Sequence, residues 1–282
     1  MKKIAFVTCV ELGVSCMHSI LNNGFDIDVT FTLKDEKAEN KSGRVNLNHI
    51  CKKNGIDLIK VENINLPIVC KELVKRSIDI LFIIGWSQIA KKELIKIPKL
   101  GVYGIHPTLL PEGRGRAPIP WAIIKGLKVT GATLFKINAG VDTGEIILQK
   151  KIMLNKSITS TQLYQKMKDL HISLIKTFLI KLQKNKITLL PQNEKLATYW
   201  PKRTPEMGGI NLKGSVYDAD KLCRALMKPY PGAFFIKNNK KIIIDDFEIF
   251  RGVLDKNTEK MSLSFYDGHL IVNKFREETL LK

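Results

Sequence analysis

Residues 78–84 read IDILFII, and that run decides the fold. Apart from Asp79 every position in it is apolar. A strand with one wet face alternates apolar and polar residues. An unbroken run of this length fits a strand covered on both faces, as in a parallel sheet between two helical layers. The flanks agree. Residues 3–10 (KIAFVTCV) form a second unbroken run, residues 26–33 (DIDVTFTL) alternate like a strand with one wetter face, and residues 56–61 (IDLIKV) make a further strand. Between these runs fall helices over 15–21, closed by Asn22-Asn23-Gly24, over 46–54 and over 68–75, with a charged loop at 34–44. Strands and helices in alternation specify the α/β class: an open, Rossmann-like, mostly parallel sheet with helices on both faces.

Farther along, residues 101–105 and 133–137 read as strands, and residues 118–125 as a helix with proline in its first turn. Leu163, Met167, Leu170, Leu174, Phe178 and Leu182 recur at three- and four-residue steps, behind Ser and Thr caps, and predict a long helix over 155–183. Residues 191–209 are turn-rich, and the character of the chain changes there. Beyond come a short helix at 221–227 and short strands near 241–249, 261–265 and 270–272. Two domains are expected: residues 1–204, and a small β-rich C-terminal domain over 205–282. A chain of 282 residues is long enough to bury a full core.

Composition excludes some classes and leaves others open. No run of eighteen apolar residues exists, so no membrane span is expected. The opening MKKIAFV resembles a signal peptide only briefly, because Glu11 follows the short apolar stretch, and it reads as a first buried strand. Five scattered cysteines fit free thiols in a reducing cytoplasm, and the five histidines show no ligand spacing, so no metal site is expected. The net charge of +19 would attract nucleic acid, anionic membranes or phosphorylated metabolites. Yet it comes from 38 lysines and only 8 arginines spread along the chain, whereas phosphate and base readers lean on arginine's fork. Genome composition also produces such a lysine-rich, isoleucine-rich bias, so the charge by itself names no partner.

The chemistry is concentrated in residues 101–149, GVYGIHPTLLPEGRGRAPIPWAIIKGLKVTGATLFKINAGVDTGEIILQ. The strand over 101–105 delivers His106 at its carboxyl end, where open α/β sheets place their ligands. Leu109-Leu110-Pro111 turns the chain, Gly113-Arg114-Gly115-Arg116 forms a basic, conformationally free loop, and Asp142-Thr143-Gly144 lies on the loop after the next strand. A histidine can take a proton from an attacking nucleophile near neutral pH, and a carboxylate beside it would orient the ring and favour its charged form. Spacing alone leaves both residues open to plainer roles, His106 as a structural residue and Asp142 as a turn former.

This segment resembles the catalytic core of the formyltransferase family, which includes methionyl-tRNA formyltransferase, glycinamide ribonucleotide formyltransferase and the sugar N-formyltransferases. The family carries Asn-x-His near a strand end, a Leu-Leu-Pro turn, an Arg-Gly loop and Asp-x-Gly about 36 residues past the histidine. Here His106 and Asp142 are 36 apart, with HPTLLP, GRGRAPIPW, TGATLF and DTGEIILQ in matching positions. More loosely, the likeness runs from Met1 to about Phe250. It implies a base and carboxylate at His106 and Asp142, 10-formyltetrahydrofolate as formyl donor, and a donor site made by Gly85, Trp86, Ser87, Gln88 and Ile89 with Leu110 and Arg114 opposite. Gly85 permits close backbone approach, and the Trp86 ring fits either a cleft mouth or core packing. One departure stands out. Gly104 occupies the family's asparagine position, so a backbone N–H, a water, or Ser87 or Gln88 would have to replace the lost carboxamide.

Two further segments point to the acceptor. YWPKRTPE (residues 199–206) and PYPGAF (residues 229–234) resemble segments that sugar N-formyltransferases use near a nucleotide-linked amino sugar of the dTDP, GDP or UDP type. That likeness implies Lys202 and Arg203 at a diphosphate, Glu206 beside them, and Trp200 or Tyr230 stacked on a base or sugar. Met207 stands where an aspartate is usual. Methionyl-tRNA formyltransferase is the alternative, favoured by the basic charge and disfavoured by the short tail and the sugar-type motifs. A formyltetrahydrofolate-binding protein or hydrolase without transferase activity is a further one. The resemblance also implies a cytoplasmic homodimer, with nucleic acid as a partner only under the tRNA alternative.

Overall fold

A computed structural model of the chain describes residues 2–38, 41–254 and 260–279. The chain divides into two compact units, one of Met1–Pro118, Val129–Met153 and Gln165–Pro201, the other of Ile119–Lys128, Leu154–Tyr164 and Lys202–Lys282. In chain order the elements are β1 (Ile4–Val7), α1 (Glu11–Asn22), β2 (Val29–Leu33), α2 (Asp35–Ala38), α3 (Asn48–Lys53), β3 (Asp57–Val61), α4 (Pro67–Lys75), β4 (Ile80–Ile84), α5 (Lys92–Ile95), β5 (Gly101–His106), β6 (Arg114–Gly115), α6 (Pro118–Ile124), β7 (Val129–Lys136), β8 (Ile146–Met153), α7 (Ser160–Gln183), β9 (Tyr199–Trp200), α8 (Val216–Ala225), β10 (Ala233–Lys237), β11 (Lys240–Phe250), β12 (Ser262–Phe265) and β13 (Gly268–Thr279).

The first unit is built on a seven-stranded sheet ordered β3-β2-β1-β4-β5-β7-β8. β3, β2, β1, β4 and β5 are parallel, and β7 and β8 join antiparallel at one side. The IDILFII run is central and buried on both faces. Leu81 and Ile83 enter one apolar cluster with Val7, Val102 and Leu73 of α4. Phe82 faces the other way, 5.6 Å from the Phe178 ring of α7, which lies 4.9 Å from Tyr103. Helical cover on both sides is why the run needs no polar alternation. The strand order reverses between β1 and β4, the place where such sheets open a crevice at their carboxyl ends.

The structure departs from the sequence pattern in several places here, three of them near the sheet's working edge or its helices. Helix α1 begins at Glu11, four residues early, with the acid in its first turn, where it suits the helix dipole. Strand β8 is unexpected, because its Gln149-Lys150-Lys151 edge lacks a clean apolar run. The Gly113–Arg116 stretch is no free loop: β6 pairs in parallel with β9. Glycine is required there, since a Cβ on Gly113 would lie 2.9 Å from the Trp200 ring and one on Gly115 would lie 2.4 Å from the Trp200 carbonyl oxygen.

The second unit has a four-stranded antiparallel sheet ordered β10-β11-β13-β12. Helix α8 packs on it through Val216, Ala219 and Cys223, against Ile242, Ile244 and Leu270. Among the described residues no helix is long and apolar enough to cross a membrane.

Candidate active site

Strand β5 ends at His106, whose side chain is buried at the carboxyl edge of the sheet. Its Nε2–H donates to the Gly113 carbonyl at 2.8 Å. A carbonyl can only accept, so Nε2 carries a proton, and the ring's other nitrogen points to a second partner. That nitrogen, Nδ1, lies 3.5 Å from Asp142 Oδ2, an ion-pair distance longer than a hydrogen bond. The same carboxylate oxygen accepts the Gly115 N–H at 2.9 Å. Residues 36 apart in sequence thus meet, and the backbone of 113–115 holds both, one by a carbonyl and the other by an amide. The two acceptors thus face the two ring nitrogens, the Gly113 carbonyl at Nε2 and the Asp142 carboxylate at Nδ1.

Arg114 is wholly buried. Its Nε–H and one Nη2–H donate to Gln192 Oε1 at 3.1 and 2.8 Å. Nη1 and Nη2 reach Glu194 at 2.8 and 2.6 Å, and Nη1 also reaches Tyr199 Oη at 2.8 Å. The hydrogen bonds to Glu194 first, then Tyr199, hold the guanidinium above the ordinary arginine range, and Glu194 is held low in return. All five donors are spent inside the protein, so Arg114 braces the site instead of reaching for a ligand. Gln192, Glu194, Tyr199 and Gly113 were not legible as site residues, because burial of an arginine and the direction of a glutamine amide leave no mark in a sequence.

Gly104, at the position where the family carries asparagine, is closely surrounded. A Cβ there would lie 3.1 Å from Ile137 Cδ1 and 3.3 Å from Ile83 O and Phe135 Cε1. Gln88 is engaged through its oxygen and one of its two amide hydrogens. Its Oε1 accepts from Ile64 N–H and Trp86 Nε1–H, and its Nε2 donates to the Glu62 carbonyl. Ser87 Oγ accepts from Lys41 Nζ at 3.0 Å, which leaves its own O–H to donate. Gly85 has a φ of +67°, where a side chain would be strained. Trp86 packs partly onto the β4 core, Ile89 is exposed and Leu110 is buried.

A cavity of about 340 Å³ is lined by Ile95 of α5, by Lys96, and by Ile137, Asn138, Ala139 and Gly144; neither His106, Asp142 nor residues 85–89 line it. Of these lining residues, Gly144 belongs to the Asp-Thr-Gly motif. Of the expected acceptor residues, Trp200 is buried, with its ring against Gly113. In the second unit Lys202 and Glu206 are exposed. Arg203 lies 5.0 Å over the Trp121 ring and donates to the Met207 carbonyl, with burial pulling its guanidinium down from the usual range. Tyr230 packs onto the core of that unit, and burial pushes its phenol up. Among the described residues no three His, Cys, Asp or Glu side chains group as metal ligands.

The sequence model of the formyl transferase family matches residues 14–179. The chain belongs to the formyltransferase family. A methionyl-tRNA formyltransferase of Ruminiclostridium cellulolyticum is 30% identical over 242 residues, covering 85% of this chain and 77% of the relative. Two solved structures share the whole architecture. One is an N-formyltransferase from Helicobacter canadensis in complex with folinic acid and dTDP-3-aminofucose, with a TM-score of 0.74 and 22% identity over 98% of this chain and all of that one. The other is WlaRD, a sugar 3N-formyl transferase in the presence of dTDP and 5-N-formyl-THF, with a TM-score of 0.72 and 24% identity over 100% and 99% of the two chains. At such identities the likeness is one of fold.

Proposed function

We propose that the chain transfers a formyl group from 10-formyltetrahydrofolate to the primary amine of a nucleotide-linked amino sugar. One observation carries the reading: His106 Nδ1 and Asp142 Oδ2 meet at 3.5 Å at the carboxyl edge of β5, in a chain of the formyltransferase family. As the amine attacks, its proton passes to Nδ1 of His106, and the Asp142 carboxylate stabilises the imidazolium while Gly113 keeps the ring oriented. When bound there, the folate would supply the activated formyl carbon; as the new amide bond forms, the bond from that carbon to the folate nitrogen would break, and the proton held on His106 would pass to the departing nitrogen. The full-length fold match to structures holding dTDP-amino sugar or dTDP supports the sugar acceptor. The 30% identity to a methionyl-tRNA formyltransferase, with the charge of +19, is what favours initiator tRNA as the second reading.

Thermal shift with dTDP, UDP and GDP separates the two, since a ligand bound only by the folded state raises Tm by mass action. A rise with one nucleotide supports the sugar reading. No rise with any, together with salt-dependent binding of initiator tRNA, replaces it by the second. His106→Ala and Asp142→Ala are each expected to cut turnover at least about a hundredfold. Full activity in either variant removes that residue from the reaction.

A further inference from the structure

The turn that presents Asp142 is held from outside by a side chain the family pattern does not point to. Gln192 Nε2 donates one hydrogen to the Asp142 carbonyl at 2.8 Å and the other to the Gly144 carbonyl at 2.6 Å. Its Oε1 accepts two hydrogens from Arg114. The amide therefore has one allowed orientation, because a flipped group would aim N–H at the guanidinium and oxygen at two carbonyls. Asp142 itself has a φ of +53°, a left-handed backbone that persists in a non-glycine residue only where its surroundings hold it. We propose that Gln192 is a positioning residue for the reaction, fixing the turn 142–144 so that the Asp142 carboxylate stays opposite His106 Nδ1.

Arg114 makes this one device. Through its side chain it anchors Gln192. Through its backbone, paired to Thr198 by an N–H to carbonyl bond of 2.9 Å, it carries the Gly113 carbonyl that meets His106 and the Gly115 amide that meets Asp142. Glu194 and Tyr199 complete the guanidinium's contacts. Displacing the carboxylate from the imidazole requires breaking the bonds to Gln192 or the bond to Gly115. The inference about reaction geometry rests on the function proposed above; the brace itself does not.

Gln192→Glu isolates the donor half. It keeps an acceptor for Arg114 and turns oxygen toward the two carbonyls. Hydrogen exchange at the Gly115 amide is expected to quicken at least about fivefold, the order of one lost net hydrogen bond, while the Arg114 and Arg116 amides on Thr198 and Trp200 keep their protection. Turnover with 10-formyltetrahydrofolate and a dTDP-linked amino sugar is expected to fall roughly tenfold to a hundredfold with KM for each within about twofold. In an Asp142→Ala background the change adds less than about twofold, because the two residues act as a unit. Equal loss of protection at 114, 115 and 116, unchanged exchange at Gly115, or a full additional loss in the Asp142→Ala background would each overturn the assignment. If Gln192→Glu does not fold, Gln192→Asn keeps the carboxamide, withdraws its reach by one methylene and carries the same expectations. The exchange arm uses no substrate, so a chain inactive toward amino sugars would sink the proposed acceptor and leave the brace standing.

Discussion

Gly104→Asn restores the residue that the family's Asn-x-His pattern carries, and the structure sets its cost. A Cβ at 104 meets Ile137 Cδ1 at 3.1 Å and Ile83 O and Phe135 Cε1 at 3.3 Å, all tighter than the ordinary contact range of 3.4–4 Å. Each neighbour must retreat by a few tenths of an ångström. Ile137 Cδ1 is the tip of a half-buried side chain and can move; Ile83 O belongs to the paired backbone of β4 and cannot move freely. Overpacking of this kind costs about 1–3 kcal/mol. At roughly 2–4 °C per kcal/mol for a chain of this class, Tm should fall by about 2–12 °C. The decisive measurement adds Ile137→Val, which deletes the closest atom. Alone, that change costs about 0.5–1.5 kcal/mol. In the Gly104→Asn background it should cost nothing or stabilise, giving a coupling of about 1 kcal/mol in urea unfolding of the four proteins. Turnover should follow packing, with the double variant more active than Gly104→Asn alone. The reasoning is refuted if Ile137→Val costs the same in both backgrounds, or if Gly104→Asn raises Tm by itself.

Two other perturbations test the same structure. His171 is buried in α7 with Nδ1–H on the Met167 carbonyl, and burial lowers its pKa from 6.5 to about 4. Below pH 6.5 the unfolded chain binds a proton that the folded chain refuses. Stability is therefore full above about pH 6.5 and drains as pH falls toward about 4, by roughly 3 kcal/mol in all. Urea unfolding of His171→Leu should lose that part of the slope between pH 7 and 4.5, and an unchanged slope would assign it elsewhere. Arg114→Leu strips Gln192 and Tyr199 of their donor, while Glu194, with a side chain 67% exposed, regains water. The expected loss is about 1–3 kcal/mol, the cost of leaving the partly buried Gln192 acceptor unpaired. Arg114→Lys should not restore it, since three donors on a point charge cannot meet five directions; equilibrium unfolding of both variants decides this.

Sequence alone determined which runs become strands and, through the resemblance to the formyltransferase family, pointed to His106 and Asp142. The unbroken run IDILFII could be stable only between two helical layers, and an exposed face would have forced alternation. His106 at a strand end and Asp142 in an Asp-Thr-Gly turn were legible because the segment around them matches the family's motifs at the same 36-residue separation. Tertiary structure decided what those residues touch. It paired the Gly113–Arg116 stretch with β9, turned Arg114 from an apparent ligand contact into a buried brace, and recruited Gln192 from about fifty residues beyond Asp142. It also filled the space beside Gly104 with Ile137 and Phe135. Local pattern records whether a residue prefers water or hydrocarbon, strand or turn. Which donor meets which acceptor depends on chain segments far apart being brought together, and that pairing energy exists only once the sheet has formed.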